Sequence, residues 1–158
     1  MLLYFYLFIE QNKKTDGDHL KTVGIYDADD GILTKLIKET RLKDCVAEEA
    51  RSSKEYDVLI IKRRDTNKLI NVKAEYAILM PEVRLNGTLK IRYAISCGGS
   101  EKDTLTPSSL LSRGGVASLR RTIKTVYGNT VEPCEIELGC KGDLDDKLAI
   151  SALKLILS

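Results

Sequence analysis

Four short apolar runs crowd the middle of the chain: Tyr56-Asp-Val-Leu-Ile-Ile61, Leu69-Ile-Asn-Val72, residues 76–80 and residues 88–96. Each is too short for a stable helix, is rich in β-branched or aromatic residues and is bounded by turn formers, so each reads as a strand. Asp65-Thr66-Asn67-Lys68 separates the first two runs as a hairpin turn would. Asn86-Gly87 offers the left-handed turn residues of a second hairpin. Further strands are expected over residues 2–10, 22–27 and 131–138, the first two joined by the polar turn at 12–18.

Helical spacing is the other recurrent pattern. Ile32, Leu33, Leu36, Ile37, Cys45 and Val46 share one helical face, with Asp29 or Asp30 placed to cap the first turn. Val116, Leu119, Ile123 and Val126 keep the same period up to Gly128, a suitable C-terminal cap, and leave Arg120, Arg121 and Lys124 on the opposite face. Residues 143–157 are apolar around most of a helical circumference, which predicts a buried helix. The expected fold is a mixed α/β domain, α+β-like: one mixed sheet of about six to seven strands with several hairpins, packed by about three helices. No internal repeat or linker is evident, and residues 1–158 read as one globular domain.

Composition narrows the functional classes. With 43% apolar and 30% charged residues, the chain is neither disordered, collagen-like nor a disulfide scaffold. A net charge of +2 lacks the basic excess of a dedicated nucleic-acid binder. A nucleic-acid role would therefore rest on the local set Arg113, Arg120, Arg121 and Lys124, with Arg63 and Arg64, which no aromatic residue interleaves. The uncharged residues 1–9 lack a basic n-region and a cleavage site, so they read as a strand rather than a signal sequence, and no segment has the length of a membrane span. Cys45, Cys97, Cys134 and Cys140 show no paired metal spacing, and a reduced, cytoplasmic protein is expected.

The densest chemistry lies where the strand ending at Ser96 runs into Cys97-Gly98-Gly99-Ser100 and on to Pro107. Cys97 is a poor nucleophile candidate, because no base adjoins it and Asp103 stands where a phosphatase-type loop needs arginine. A cradle for an anion needs only donors, and Gly98, Gly99, Ser100, Lys102, Thr104 and Thr106 supply them, with Arg113 ahead of the basic helical segment. The bland alternative is a surface loop whose hydroxyls bond their own backbone, with Pro107 opening a short helix over 108–111.

Asp27, Asp29 and Asp30 sit where a strand meets a helix, a place where two aspartates can hold Mg²⁺ or simply cap the helix. Asp27-x-Asp29 is similar to the strand-end Asp-x-Asp of haloacid-dehalogenase-like phosphatases, but Gly31 stands where that family has Thr or Val, and the chain is assigned to no family on it. His19 with Asp16 and Asp18 belongs to a different loop, and the Cys134-x5-Cys140 spacing lacks the further soft ligands zinc requires.

The leading expectation is thus a small α/β domain binding an anionic small molecule, a nucleotide or phosphorylated metabolite, at the Gly/Ser/Thr loop. If the strands ending at Asp27 and Cys97 are parallel neighbours, Mg²⁺ with a phosphorylated ligand becomes the implied pair and a phosphoryl or nucleotidyl reaction conceivable; the sequence does not establish catalysis. The competing expectation is a non-catalytic interaction or regulatory module, with a protein partner or a second copy of the chain docking on an edge strand or on the hydroxyl loop.

Overall fold

The computed structural model describes residues 20–27 and 31–158, so the strand expected over 2–10, the turn at 12–18, His19, Asp29 and Asp30 lie outside the described residues. The elements in chain order are β1 (Lys21–Tyr26), α1 (Ile32–Thr40), β2 (Cys45–Glu49), β3 (Glu55–Ile61), β4 (Lys73–Leu79), β5 (Lys90–Ser96), β6 (Leu105–Leu110), β7 (Gly115–Leu119), β8 (Ile123–Lys124), β9 (Thr130–Val131), β10 (Cys134–Leu138) and α2 (Leu144–Ile156). Five strands form a parallel sheet in the order β2-β1-β3-β4-β5. A separate three-stranded antiparallel sheet has the order β10-β7-β6, and β8 pairs with β9.

The α/β class holds, but the expected hairpins do not. β3, β4 and β5 run parallel, and their connections cross back over one face of the sheet without a helix. Glu55 pairs with Lys73 and Lys73 with Lys90, so successive strands are offset by 18 and then 17 residues. A sequence recurrence lies beneath this: Tyr76-Ala77-Ile78 returns as Tyr93-Ala94-Ile95. The connections stack as well, with a parallel bridge between Asp65 and Arg84. Asn86 is a clamp rather than the corner of a hairpin. Its side-chain amide donates to Thr66 O (2.6 Å) and Leu69 O (2.9 Å), and its backbone N–H to Thr66 Oγ1 (3.0 Å). Neither Asn86 nor Gly87 has the positive φ a type I′ turn needs.

Two apolar cores result. Tyr56, Leu59, Ile61, Leu69, Val72 and Ala74 fill the space between the sheet and the crossing connections. On the other face Val23, Ile25, Val58, Ile60, Tyr76 and Ile78 pack with α1, α2 and the antiparallel sheet. α2 matches its expected span and is held at its start by a capping box between Asp143 and Asp146. α1 is shorter than expected: Arg41 turns left-handed (φ 47°), and Cys45 and Val46 pair with β1 instead of continuing the helix.

The expected cationic helix from residue 116 is absent. Gly115, Ala117 and Leu119 are buried in alternation, and this period of two makes β7 a strand. Small side chains at 115 and 117 disguised the alternation, while Val116, Leu119, Ile123 and Val126 matched helical spacing by coincidence. The short helix expected after Pro107 is likewise strand β6, with an irregularity between Pro107 and Ser109 where proline has no N–H to donate. No helix among the described residues is long and apolar enough to cross a membrane.

Candidate functional site

Because β1, β3, β4 and β5 are parallel, Asp27, Lys62, Met80 and Cys97 all follow strand ends at the same edge of the sheet. Asp27 and Cys97 share an edge but are not neighbours. β3 and β4 lie between, which separates the two strand ends by about 14 Å at the usual inter-strand spacing. Asp27 turns toward its own helix, where its carboxylate accepts the Leu33 N–H at 2.8 Å. Among the described residues no cluster of three or more His, Cys, Asp or Glu side chains is arranged to hold a metal ion.

Several backbone donors of the loop after β5 bond its own chain. Gly98 N–H bonds Leu105 O (3.1 Å), Asp103 N–H bonds Ser100 O (3.0 Å) and Thr104 N–H bonds Ser96 O (2.9 Å). Ser100 N–H bonds the Asp103 carboxylate at 2.9 Å, so a carboxylate of the chain itself stands where an incoming anion would. Gly98 is required by the same packing, since a Cβ there would lie 2.6 Å from Asp103 Oδ2 and 3.2 Å from Pro81 Cγ. Thr104 and Thr106 are buried, while Gly99, Ser100 and Lys102 are exposed. Arg113 lies beyond the far end of β6, roughly 17 Å from the loop at ~3.3 Å per residue.

Cys97 is 1% exposed. Burial, with Asp103 and Asp145 nearby, pushes its thiol far above the ordinary cysteine range. Cys45 is half-buried and raised by burial and by Asp44, whereas Cys134 and Cys140 are exposed. Iodoacetamide should therefore label Cys134 and Cys140 first, Cys45 slowly and Cys97 only in denaturant, as read by mass spectrometry. Native-state labelling of Cys97 at the rate of Cys134 would contradict its placement.

The side chains suited to an anion converge beside the loop rather than in it. A groove of about 420 Å³ lies along β5 and is walled by the segment that follows β7. Among the described residues Tyr76, Tyr93, Arg92, Arg121, Lys124 and Thr104 line it and no carboxylate does, although Glu75 bonds Arg92 and Glu132 accepts from the lining Thr122 at 3.0 Å. The two tyrosine rings stand 5.2 Å apart at 33°, and the Arg92 guanidinium lies 5.2 Å from the Tyr93 ring centre. Burial, then Glu75, raises the Tyr76 phenol, which stays neutral and donates to Thr125 O at 3.1 Å. Arg121 is steered into the groove by a 2.6 Å bond from Nη1 to Lys102 O.

Arg92 also reaches Glu75 at 3.3 Å, but both side chains are largely exposed, and such pairs contribute about 0–1 kcal/mol. That leaves Arg92 able to exchange partners. A larger cleft of about 880 Å³ at the amino edge of the sheet is different in kind, because its lysines face Glu55, Asp57 and Glu75.

Helical spacing along the sequence places Arg121 and Lys124 on a helix face without aromatic company. The signal that places an aromatic pair there is the Tyr-Ala-Ile recurrence, which sets Tyr93 beside Tyr76 at the groove that residues 121–124 also line. Comparison with known proteins finds no matching family model, no similar curated protein and no similar solved structure.

Proposed function

We propose that this chain is a binding module for a ligand carrying several negative charges, held in the groove between β5 and residues 121–124. The observation that carries the reading is the lining itself: Arg92, Arg121 and Lys124 around two tyrosine rings, with no carboxylate among the described lining residues. Cations that meet at a concave surface reinforce one another, and the ring faces offer apolar area for the uncharged part of a ligand. The anion expected at the Gly98–Thr106 loop is retained and its site moves about one strand away, with Thr104 common to both. The reading requires binding only and invokes no reaction.

Calorimetry with tripolyphosphate, a nucleoside triphosphate and an oligoglutamate peptide at low salt tests it. Arg121→Glu with Lys124→Glu should weaken the best of these ligands by a factor on the order of 10 or more, since hydrogen bonds to charged groups contribute about 1.5–3 kcal/mol. Gly99→Ala and Lys102→Ala should leave that affinity unchanged. The reverse pattern would return the site to the loop, and no binding by any of the probes would overturn the proposal.

A further inference from the structure

The groove runs beside an open sheet edge. β5 pairs with β4 on one side, and no described segment pairs with its other side over residues 90–95. The chain returns to that side only at the end of the strand, where Thr104 N–H bonds Ser96 O at 2.9 Å and Leu105 bridges Cys97. Among the described residues, the outward N–H and C=O groups along most of β5 have no strand partner, and they can receive one. Tyr93 is 42% exposed, and Lys90, Arg92 and Ala94 are exposed with it.

Charge selects the occupant. A second β5 in antiparallel array would bring Lys90, Arg92, Arg121 and Lys124 of two copies together, which like-charge repulsion opposes. An acidic strand gains from the same arrangement. In an extended chain every second side chain faces the same way, about 6.7 Å apart, so alternate carboxylates can reach Arg121 and Lys124 on the Tyr93 face while the intervening backbone pairs with β5. A compact polyphosphate would use the cations and leave the open edge unused.

Resting on the anionic-ligand reading above, we infer that the natural ligand is an extended acidic peptide segment of a partner protein, which adds a strand to the outer edge of β5. Its alternate carboxylates face Arg121 and Lys124 on the sheet face that Tyr93 shares with Tyr76, and its intervening side chains lie on the opposite face with Arg92.

The test varies the ligand rather than the protein, so folding cannot confound it. A labelled hexapeptide alternating Glu and Val is compared by fluorescence anisotropy with two analogues, each N-methylated at one alternate set of backbone amides, and with tripolyphosphate as competitor. The unmodified peptide should bind, and the analogue methylated on the pairing side should bind about tenfold or more weakly, with the other analogue little changed. Equal affinities for all three peptides would overturn strand addition while leaving the anion site standing. Binding of tripolyphosphate without binding of the peptide would overturn this inference alone, and binding of neither would overturn both.

Discussion

Lys62→Met should lower the free energy of unfolding by about 3–5 kcal/mol, the cost usual for removing one partner of a buried ion pair. Lys62 follows β3 and reaches under the start of α2, where its ammonium bonds Asp146 at 2.7 Å and Asp143 at 3.0 Å. The Asp146 side chain is only 3% exposed and that of Lys62 15%. Without the lysine a carboxylate remains in a site that is nearly closed to water, close to two further aspartates.

Burial already pushes the Asp146 carboxyl up, against the pull of Lys62. In the variant the pull is gone and the value rises further. A carboxyl whose folded value lies above its unfolded one destabilises the fold fully at high pH, and that penalty vanishes as pH falls toward the unfolded value of about 4. The Lys62→Met deficit should accordingly be complete at neutral pH and shrink on acidification. Adding Asp146→Asn should recover part of it, because an amide needs no counter-charge and can still accept the Asp143 N–H that closes the capping box. Urea titrations at several pH values measure both effects; a deficit under 1 kcal/mol, or one that does not vary with pH, would show that the pair does not hold α2 to the sheet.

Gly115→Ala should destabilise by about 3 kcal/mol, combining left-handed strain with overpacking. Gly115 opens β7 with φ at 141°, and a Cβ there would lie 2.4 Å from Ser109 O and 3.3 Å from Leu110 Cα. Both obstacles are backbone, so no side chain can rotate away. Relief requires β6 to separate from β7, and with it the strand that buries Ala117 and Leu119 in the main core. Gly99→Ala is the matched control: nothing lies within 4 Å of its Cβ, and its change should stay within about 0.5 kcal/mol. Equal urea midpoints for the two variants would contradict the described turn.

How much of this was legible in the chain differs from element to element. The span of α2 was, because its apolar positions occupy most of the helical circumference, whereas the Asp143–Asp146 capping box emerged only in the structure. The strands β1, β3, β4 and β5 were also legible as strands, since each is a short β-branched or aromatic run. Their direction was not. Asp65-Thr66-Asn67-Lys68 and Asn86-Gly87 carry the composition of hairpin turns, yet Thr66 and Asn86 bond each other across the stacked connections. Turn composition states that the chain bends; it does not state whether the next strand returns beside the last one or passes over it.

The candidate site divides in the same way. The sequence by itself determined the residue types: a donor-rich loop at Cys97-Gly98-Gly99-Ser100, a cationic stretch through Arg121 and Lys124, and a tyrosine in each of two recurring strands. It also determined that Cys97 lacks a basic neighbour along the chain. Only the tertiary structure decided which of these act together. The 17-residue offset of β4 and β5 stacks Tyr93 on Tyr76, and the antiparallel return of β7 delivers Arg121 and Lys124 beside them. The same packing sets the Asp103 carboxylate on the Ser100 N–H. The physical reason is that local sequence sets backbone preference and charge, whereas the meeting of groups dozens of residues apart depends on strand order and register, which are settled by burying both faces of the sheet at once.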